Sequence, residues 1–316
     1  MTDTVQNRLK VIYVTGVGRS GSTILDILLG NHPEVESVGE LINVNRSGWL
    51  KNEYCACHQR ALDCPFWQAV LSNWQVRTGG AQVQEYMDLQ TQFEFRLYKP
   101  SQILKEARKS PDSYARFLQL TGELFRAISE VSGKSIIVDS SKSRTRGFLL
   151  SQIDALDVRY VHLIRDTRDI IKSLRKGHEA NPEAGVQHAL RALPGWRTSM
   201  SWVLTNLQAE HLIRHYGSAH HCQVRYEDML EHPAGVLRSI GELAGIDTAG
   251  IIHAAENETP LQVGHTVAGN RLRMKDTVAF SRRKPSVPKL RAIDNLSFSV
   301  FAYWLAQRYG YPLIRR

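Results

Sequence analysis

Short apolar runs alternate along this chain with stretches whose apolar residues recur every three or four positions. That alternation predicts a parallel sheet with crossover helices. The first run, Val11 to Val14, reads as a buried strand bounded by Gly16 and Gly18. Ile24, Leu25, Leu28 and Leu29 then fall at helical spacing and predict a helix from Ser22 to Gly30. Further strands are predicted at Ser135–Asp139, Arg159–Ile164 and His221–Tyr226. Asp166 is placed to cap a helix reaching Lys176, with Ile170, Ile171 and Leu174 as its stripe. Other helical patterns run from Pro194 to Tyr216 (with Trp196, Trp202, Leu204, Leu207 and Leu212), from Asp228 to Ala244, and from Leu296 to Tyr309. Between Leu41 and Ser132 helical patterns dominate, such as Tyr114 to Val131. The expected fold class is therefore α/β, a mainly parallel central sheet with a helical insertion over about residues 41–132, within a single domain spanning 1–316.

The stretch between the first strand and helix consists of small residues with one cation, Arg19. Glycines let backbone approach a ligand closely, and the unpaired N–H groups of a new helix point at it, so this unit predicts a phosphate site. It is not a Walker A loop: the Gly-Lys-Ser/Thr ending is absent, and the arginine precedes Ser-Gly-Ser-Thr.

Forty Lys and Arg against 31 Asp and Glu give a net charge of +9, which favours an anionic ligand. The basic residues are scattered, with no basic tail or aromatic-interleaved repeat, so no nucleic-acid partner is expected. Met1 to Lys10 lacks a signal peptide's apolar core, and no run of about 18 apolar residues predicts a transmembrane segment. A cytoplasmic protein is expected. The pattern leaves the oligomeric state open.

Gly18-Arg-Ser-Gly-Ser-Thr23 resembles the 5′-phosphosulfate loop of the sulfotransferase family, whose enzymes use 3′-phosphoadenosine 5′-phosphosulfate (PAPS). The resemblance implies a P-loop-like three-layer fold. It implies that Gly18, Arg19, Ser20, Gly21, Ser22 and Thr23 hold the 5′-phosphate and sulfuryl oxygens, Ser20 and Gly21 through backbone donors. Leu163-Ile-Arg-Asp-Thr-Arg-Asp-Ile-Ile-Lys-Ser173 resembles the family's 3′-phosphate motif. Arg165 at a strand end and Ser173 two helical turns on are then expected to converge on one phosphate, the alternative being an ion pair of Arg165 with Asp166 or Asp169. Val224-Arg-Tyr-Glu-Asp-Met229 is similar to a stretch found in many members, which implies that Arg225 reaches the nucleotide; Glu227 and Asp228 suit a structural or a ligand role. Gly264-His-Thr-Val-Ala-Gly-Asn-Arg271 looks like a loop that many bacterial members lay over the cofactor, with Arg271 or Arg273 supplementing the 3′-phosphate site.

Sulfuryl transfer needs a base for the acceptor and cations for the charge that spreads as the bond breaks. Glu40, in Asn31-His-Pro-Glu-Val-Glu-Ser-Val-Gly-Glu40, resembles the general base of tyrosylprotein and several bacterial sulfotransferases, with Glu36 expected to raise its pKa. His32 is the competing base. Lys142, in Val138-Asp-Ser-Ser-Lys142, matches the family's catalytic lysine, and Arg19 can share its task. No obligatory metal is expected for the transfer. The acceptor is expected to be a small molecule or carbohydrate, held against the insertion and the loops around Gly177 to Pro194. Two other readings are a P-loop nucleotide kinase or NTPase, and a non-catalytic anionic-nucleotide-binding protein.

Cys55, Cys57, His58 and Cys64 are candidate zinc ligands, although their spacing is not that of a C-x₂-C ribbon. The same residues suit reduced thiols or one disulfide pinning the insertion. Trp67 and Trp74, at helical spacing, are expected in the core.

Overall fold

Leu9–Gly16 (β1) is the central strand of a five-stranded sheet in the computed structural model, which describes residues 8–96, 99–177, 179–181, 189, 191–217, 219–282 and 289–314. Ile136–Lys142 (β3) and Leu156–Ile164 (β4) flank it, with Val35–Ser37 (β2) and His221–Arg225 (β5) outside them. The order is β2-β3-β1-β4-β5, and every pairing is parallel. Because side chains alternate across a strand, β1 serves two cores at once. Val11 and Tyr13 join one cluster, with Trp67, Trp74 and Phe117 from the insertion. Ile12 and Val14 join the other, with residues of Ser22–Gly30 (α1). The result is the three-layer α/β arrangement expected of a parallel sheet covered on both faces.

Among the described residues, the stretch between β2 and β3 carries helices and turns. The α-helices are Pro65–Arg77 (α2), Val83–Gln90 (α3), Pro100–Lys109 (α4) and Pro111–Ser132 (α5), with short π-helical segments at Val44–Leu50, ahead of α2, and at Thr91–Phe95, after α3. Proline opens α2, α4 and α5, where its missing N–H costs nothing. Trp67 and Trp74 are buried in the core, and Trp74 Nε1 donates to Leu120 O at 2.9 Å.

After β3 come Arg144–Leu150 (α6), then β4, Thr167–Leu174 (α7) and Gly195–Tyr216 (α8). Asp166 caps α7 by accepting from Arg168 N. On α8, Trp202 and Leu212 are buried while Trp196 and Leu204 are exposed, so only part of the expected stripe faces the core. The helix expected over Asp228–Ala244 is two, Tyr226–Glu231 (α9) and Pro233–Ala244 (α10). Pro233 disfavours the helical basin at His232, which adopts φ −131° and ψ 58°. Ala249–Glu256 (α11) precedes a small antiparallel pair, Pro260–Gln262 (β6) and Thr277–Ala279 (β7), which the pattern did not predict. The C-terminal helical run begins earlier than expected, with Ala292–Ser297 (α12), and reaches Tyr303–Arg308 (α13) through a π-helical stretch at Phe298–Ala302. No helix among the described residues is long and apolar enough to cross a membrane.

Candidate active site

The C-terminal ends of β1, β3 and β4 open on one cleft of about 520 Å³. Its first wall is the turn after β1. Gly16 has φ 135°, and a Cβ there would stand 2.3 Å from Leu163 O on β4, so glycine alone fits where the strand passes into the turn. Arg19 sits in the left-handed region at φ 71°, a strained conformation for a side-chain-bearing residue. Gly21, at φ 92°, is the N-cap of α1, and Ser22, Thr23 and Ile24 carry the helix N-terminus into the cleft lining. That terminus offers N–H groups and the positive end of the helix dipole to an anion. Ser20 is buried behind the loop.

The second wall comes from β4 and α7. Arg165 Nη1 donates to Arg19 O at 2.8 Å, and its guanidinium lies 4.4 Å from the centre of the Tyr226 ring. Trp202 Nε1 holds the Arg165 carbonyl at 2.9 Å. Arg19 Nε in turn donates to Ser173 Oγ at 3.1 Å. Arg19, Arg165 and Ser173 therefore line one wall together. Asp166, the ion-pair partner considered for Arg165, instead takes Arg168 at 2.7 Å and caps α7. Burial lowers the pKa of Arg19, and the positive charges of Arg165 and Arg271 lower it further. Such crowding of cations is relieved by an anion between them.

The third wall is built at the end of β3. Between Tyr13 and Thr15 of β1 the register with β3 slips, so β3 carries an extra residue there. The strand ends on Lys142 at φ 64°. Lys142 Nζ donates to Glu40 Oε1 at 2.7 Å, to Ser140 O at 2.8 Å and to Ser22 Oγ at 3.2 Å. Glu40 is placed by its neighbours: Ser140 N donates to Gly39 O at 2.8 Å, and Asn43 Nδ2 donates to Glu40 Oε2 at 3.2 Å. The charge beside Glu40 is thus the Lys142 cation. Glu36 has a pKa raised by its own burial and is influenced by Lys134 and His265. His32 is buried, with Nε2 on Asp247 O and Nδ1 accepting from Glu34 N, and it does not line the cleft.

A roof segment crosses the loop. Gly269 and Asn270 line the cleft with Leu272 and with Val278 to Ser281 around β7. Arg273 is buried and donates to Tyr54 O and Thr266 O, so it secures the roof rather than facing the cleft. Arg271 is exposed and contributes to the field at Arg19. Arg225 lies over the Tyr311 ring at 4.5 Å and 3.9 Å from Asp228, outside the cleft lining. Glu227 is buried, accepting from Asp166 N at 3.0 Å and Tyr311 Oη at 2.6 Å, which is a structural role. Much of the loop around 177–194 lies outside the described residues.

Sequence reasoning missed the apolar wall of Tyr226, Leu230, Leu272 and Phe280. Tyr226 stands against Gly21, where a Cβ would meet its ring at 2.2 Å. It also misassigned one imidazole. Cys55, Cys57 and Cys64 gather around His265, while His58 turns outward at φ 65° to meet Asp276 at 3.1 Å. All four cysteines are free thiols.

Residues 12–250 match the family model described as "Sulfotransferase family", and the chain belongs to that family. Three solved structures are similar at lower resemblance. The sulfotransferase domain of the Synechococcus PCC 7002 olefin synthase is 18% identical, with 98% of this chain and 97% of that one covered, at a TM-score of 0.46. The sulfotransferase domain from the curacin biosynthetic pathway is 16% identical, covering 97% and 100%, also at 0.46. Sulfotransferase STF1 from Mycobacterium tuberculosis H37Rv is 16% identical, covering 82% and 74%, at 0.42. Comparison with curated protein sequences gave no match. Membership of the family supports sulfuryl transfer as the general activity.

Proposed function

We propose that the chain moves the sulfuryl group of PAPS to a hydroxyl or amine of a small-molecule or carbohydrate acceptor, by in-line displacement. The observation that carries this reading is the convergence on Lys142 Nζ of a phosphate-loop hydroxyl, Ser22 Oγ at 3.2 Å, and a carboxylate, Glu40 Oε1 at 2.7 Å. A loop donor, a cation and a base at one point are the parts sulfuryl transfer needs. Glu40 takes the acceptor's proton as the acceptor's oxygen or nitrogen attacks sulfur. Lys142, aided by Arg19, offsets charge on the bridging oxygen as the sulfur–oxygen bond breaks and PAP (3′-phosphoadenosine 5′-phosphate) departs. The 5′-phosphosulfate rests on Gly18 to Thr23, and the 3′-phosphate on Arg165 and Ser173 with Arg271 nearby. Residues 41–132 form an insertion within one domain that begins directly after Glu40.

A nucleotide kinase would place a magnesium carboxylate beside its loop. Here the β3 carboxylate, Asp139, is buried and accepts from Arg146 Nε at 2.6 Å, which favours the sulfotransferase reading. The test compares thermal stabilisation by PAP in chelator with that by ATP and magnesium, then follows label from PAPS into crude acceptor pools. Stabilisation by PAP alone with labelled product is expected; stabilisation by ATP and magnesium alone would overturn the reading.

A further inference from the structure

A second chemical centre lies behind the roof of the cleft. Cys55 and Cys57 stand on a tight turn in which Cys55 N donates to Gln59 O at 2.8 Å and His58 N donates to Cys55 O at 3.0 Å. Cys64 is the N-cap of α2, whose dipole favours a thiolate there. His265 belongs to the roof segment, far away in sequence. Phe66 stacks on its ring at 4.9 Å with an interplanar angle of 9°, fixing the imidazole plane. One sulfur or nitrogen atom from each of the four residues lies within 4.8 Å of the others. His265 Nδ1 is 3.3 Å from Cys64 Sγ and 3.9 Å from Cys55 Sγ. A tetrahedral zinc with Zn–S about 2.3 Å and Zn–N about 2.0 Å sets the S···N edge at about 3.5 Å, between those two distances.

We propose that Cys55, Cys57, Cys64 and His265 bind one zinc ion. Four protein ligands leave no open position, so the site is structural and takes no part in transfer. The thiols bind as thiolates, and their protons pass to solvent. Zinc would staple the turn at the start of the insertion to the roof, where Ala56 N already donates to Thr266 O at 2.9 Å. Gly269 and Asn270 of that same segment line the cleft, so the metal holds one cleft wall in register.

The test uses the full chain purified in reductant. Elemental analysis is expected to give about one zinc per chain. Chelator-treated protein titrated with cobalt chloride should saturate at about one equivalent, with the strong visible bands and thiolate charge-transfer absorption of a tetrahedral site, and zinc chloride should displace it. His265→Ala should weaken cobalt binding at least about tenfold, and His58→Ala should leave it unchanged. Cys64→Ser should lose the site; circular dichroism reports whether that variant folds, and the wild-type titration decides the matter if it does not. A folded, reduced wild-type chain with neither zinc nor a tetrahedral cobalt spectrum overturns the site. Equal affinity in His265→Ala, or loss in His58→Ala, overturns the ligand set.

Discussion

Lys142 Nζ lies 2.7 Å from Glu40 Oε1, and its remaining donors go to Ser22 Oγ and Ser140 O. An ammonium group has three N–H bonds, so all are engaged. An anion settling on the loop competes with Glu40 for one of them. In the proposed reaction, donor binding would loosen the ion pair that otherwise holds the carboxylate's charge and so free Glu40 to take the acceptor's proton.

Glu40→Gln keeps the shape and removes the basicity. Turnover in single-turnover transfer at saturating PAPS should fall about 10²–10⁴-fold. PAP affinity by calorimetry should hold or rise, because Lys142 loses its competing carboxylate. Wild-type turnover in this variant across neutral pH would remove Glu40 as the base.

Arg165→Ala should weaken PAP binding by about ten- to a hundredfold while barely changing binding of adenosine 5′-phosphosulfate, which lacks the 3′-phosphate. Ser173→Ala should act in the same direction and less strongly. Because Arg19 Nε donates to Ser173 Oγ at 3.1 Å, the losses in Arg19→Ala and Ser173→Ala should be non-additive in a double-mutant cycle. Strict additivity would separate the two side chains functionally.

Gly21→Ala tests the loop's shape. Its Cβ would lie 2.2 Å from the Tyr226 ring at φ 92°, so the variant should lose about 1–3 kcal/mol in urea unfolding, and PAP affinity with it. Tyr226→Ala in the same chain should recover part of the stability by removing the clash, though not the part owed to the backbone. An undisturbed Gly21→Ala protein would contradict this packing.

Asp26 on α1 is buried against Ser37 Oγ, and desolvation pushes its pKa up to about 7 from an ordinary 3.8. Between those values the folded chain holds a proton that the unfolded chain has released. Stability should therefore fall as pH rises from about 4 to about 7, by on the order of 2–4 kcal/mol, and level off above. Asp26→Asn should lack this component. Thermal unfolding of the two proteins across that range checks it: a constant difference in Tm would show that Asp26 is ionised throughout.

The features legible from the sequence are those whose determinants are contiguous. The strand–loop–helix unit from Val11 to Gly30 combines a β-branched apolar run, a glycine-rich loop and a helical stripe, all in 20 residues. The strand ending at Arg165 and the helix carrying Ser173 are readable for the same reason. Short or interrupted elements are not. The three residues of β2 hold no pattern of their own and are extended because they pair with β3. The break at His232 depends on Pro233, a local signal that the apolar stripe of the flanking residues masks. What only the tertiary structure decided is which distant side chains meet. Lys142 reaches Glu40 because the segment after β2 runs beside the end of β3, where Ser140 N donates to Gly39 O. His265 takes the place expected for His58 because a positive φ turns His58 to the surface, while the roof carries His265 across the insertion. Such meetings are set by strand order and by the paths of long connections, which local propensity and side-chain period do not encode.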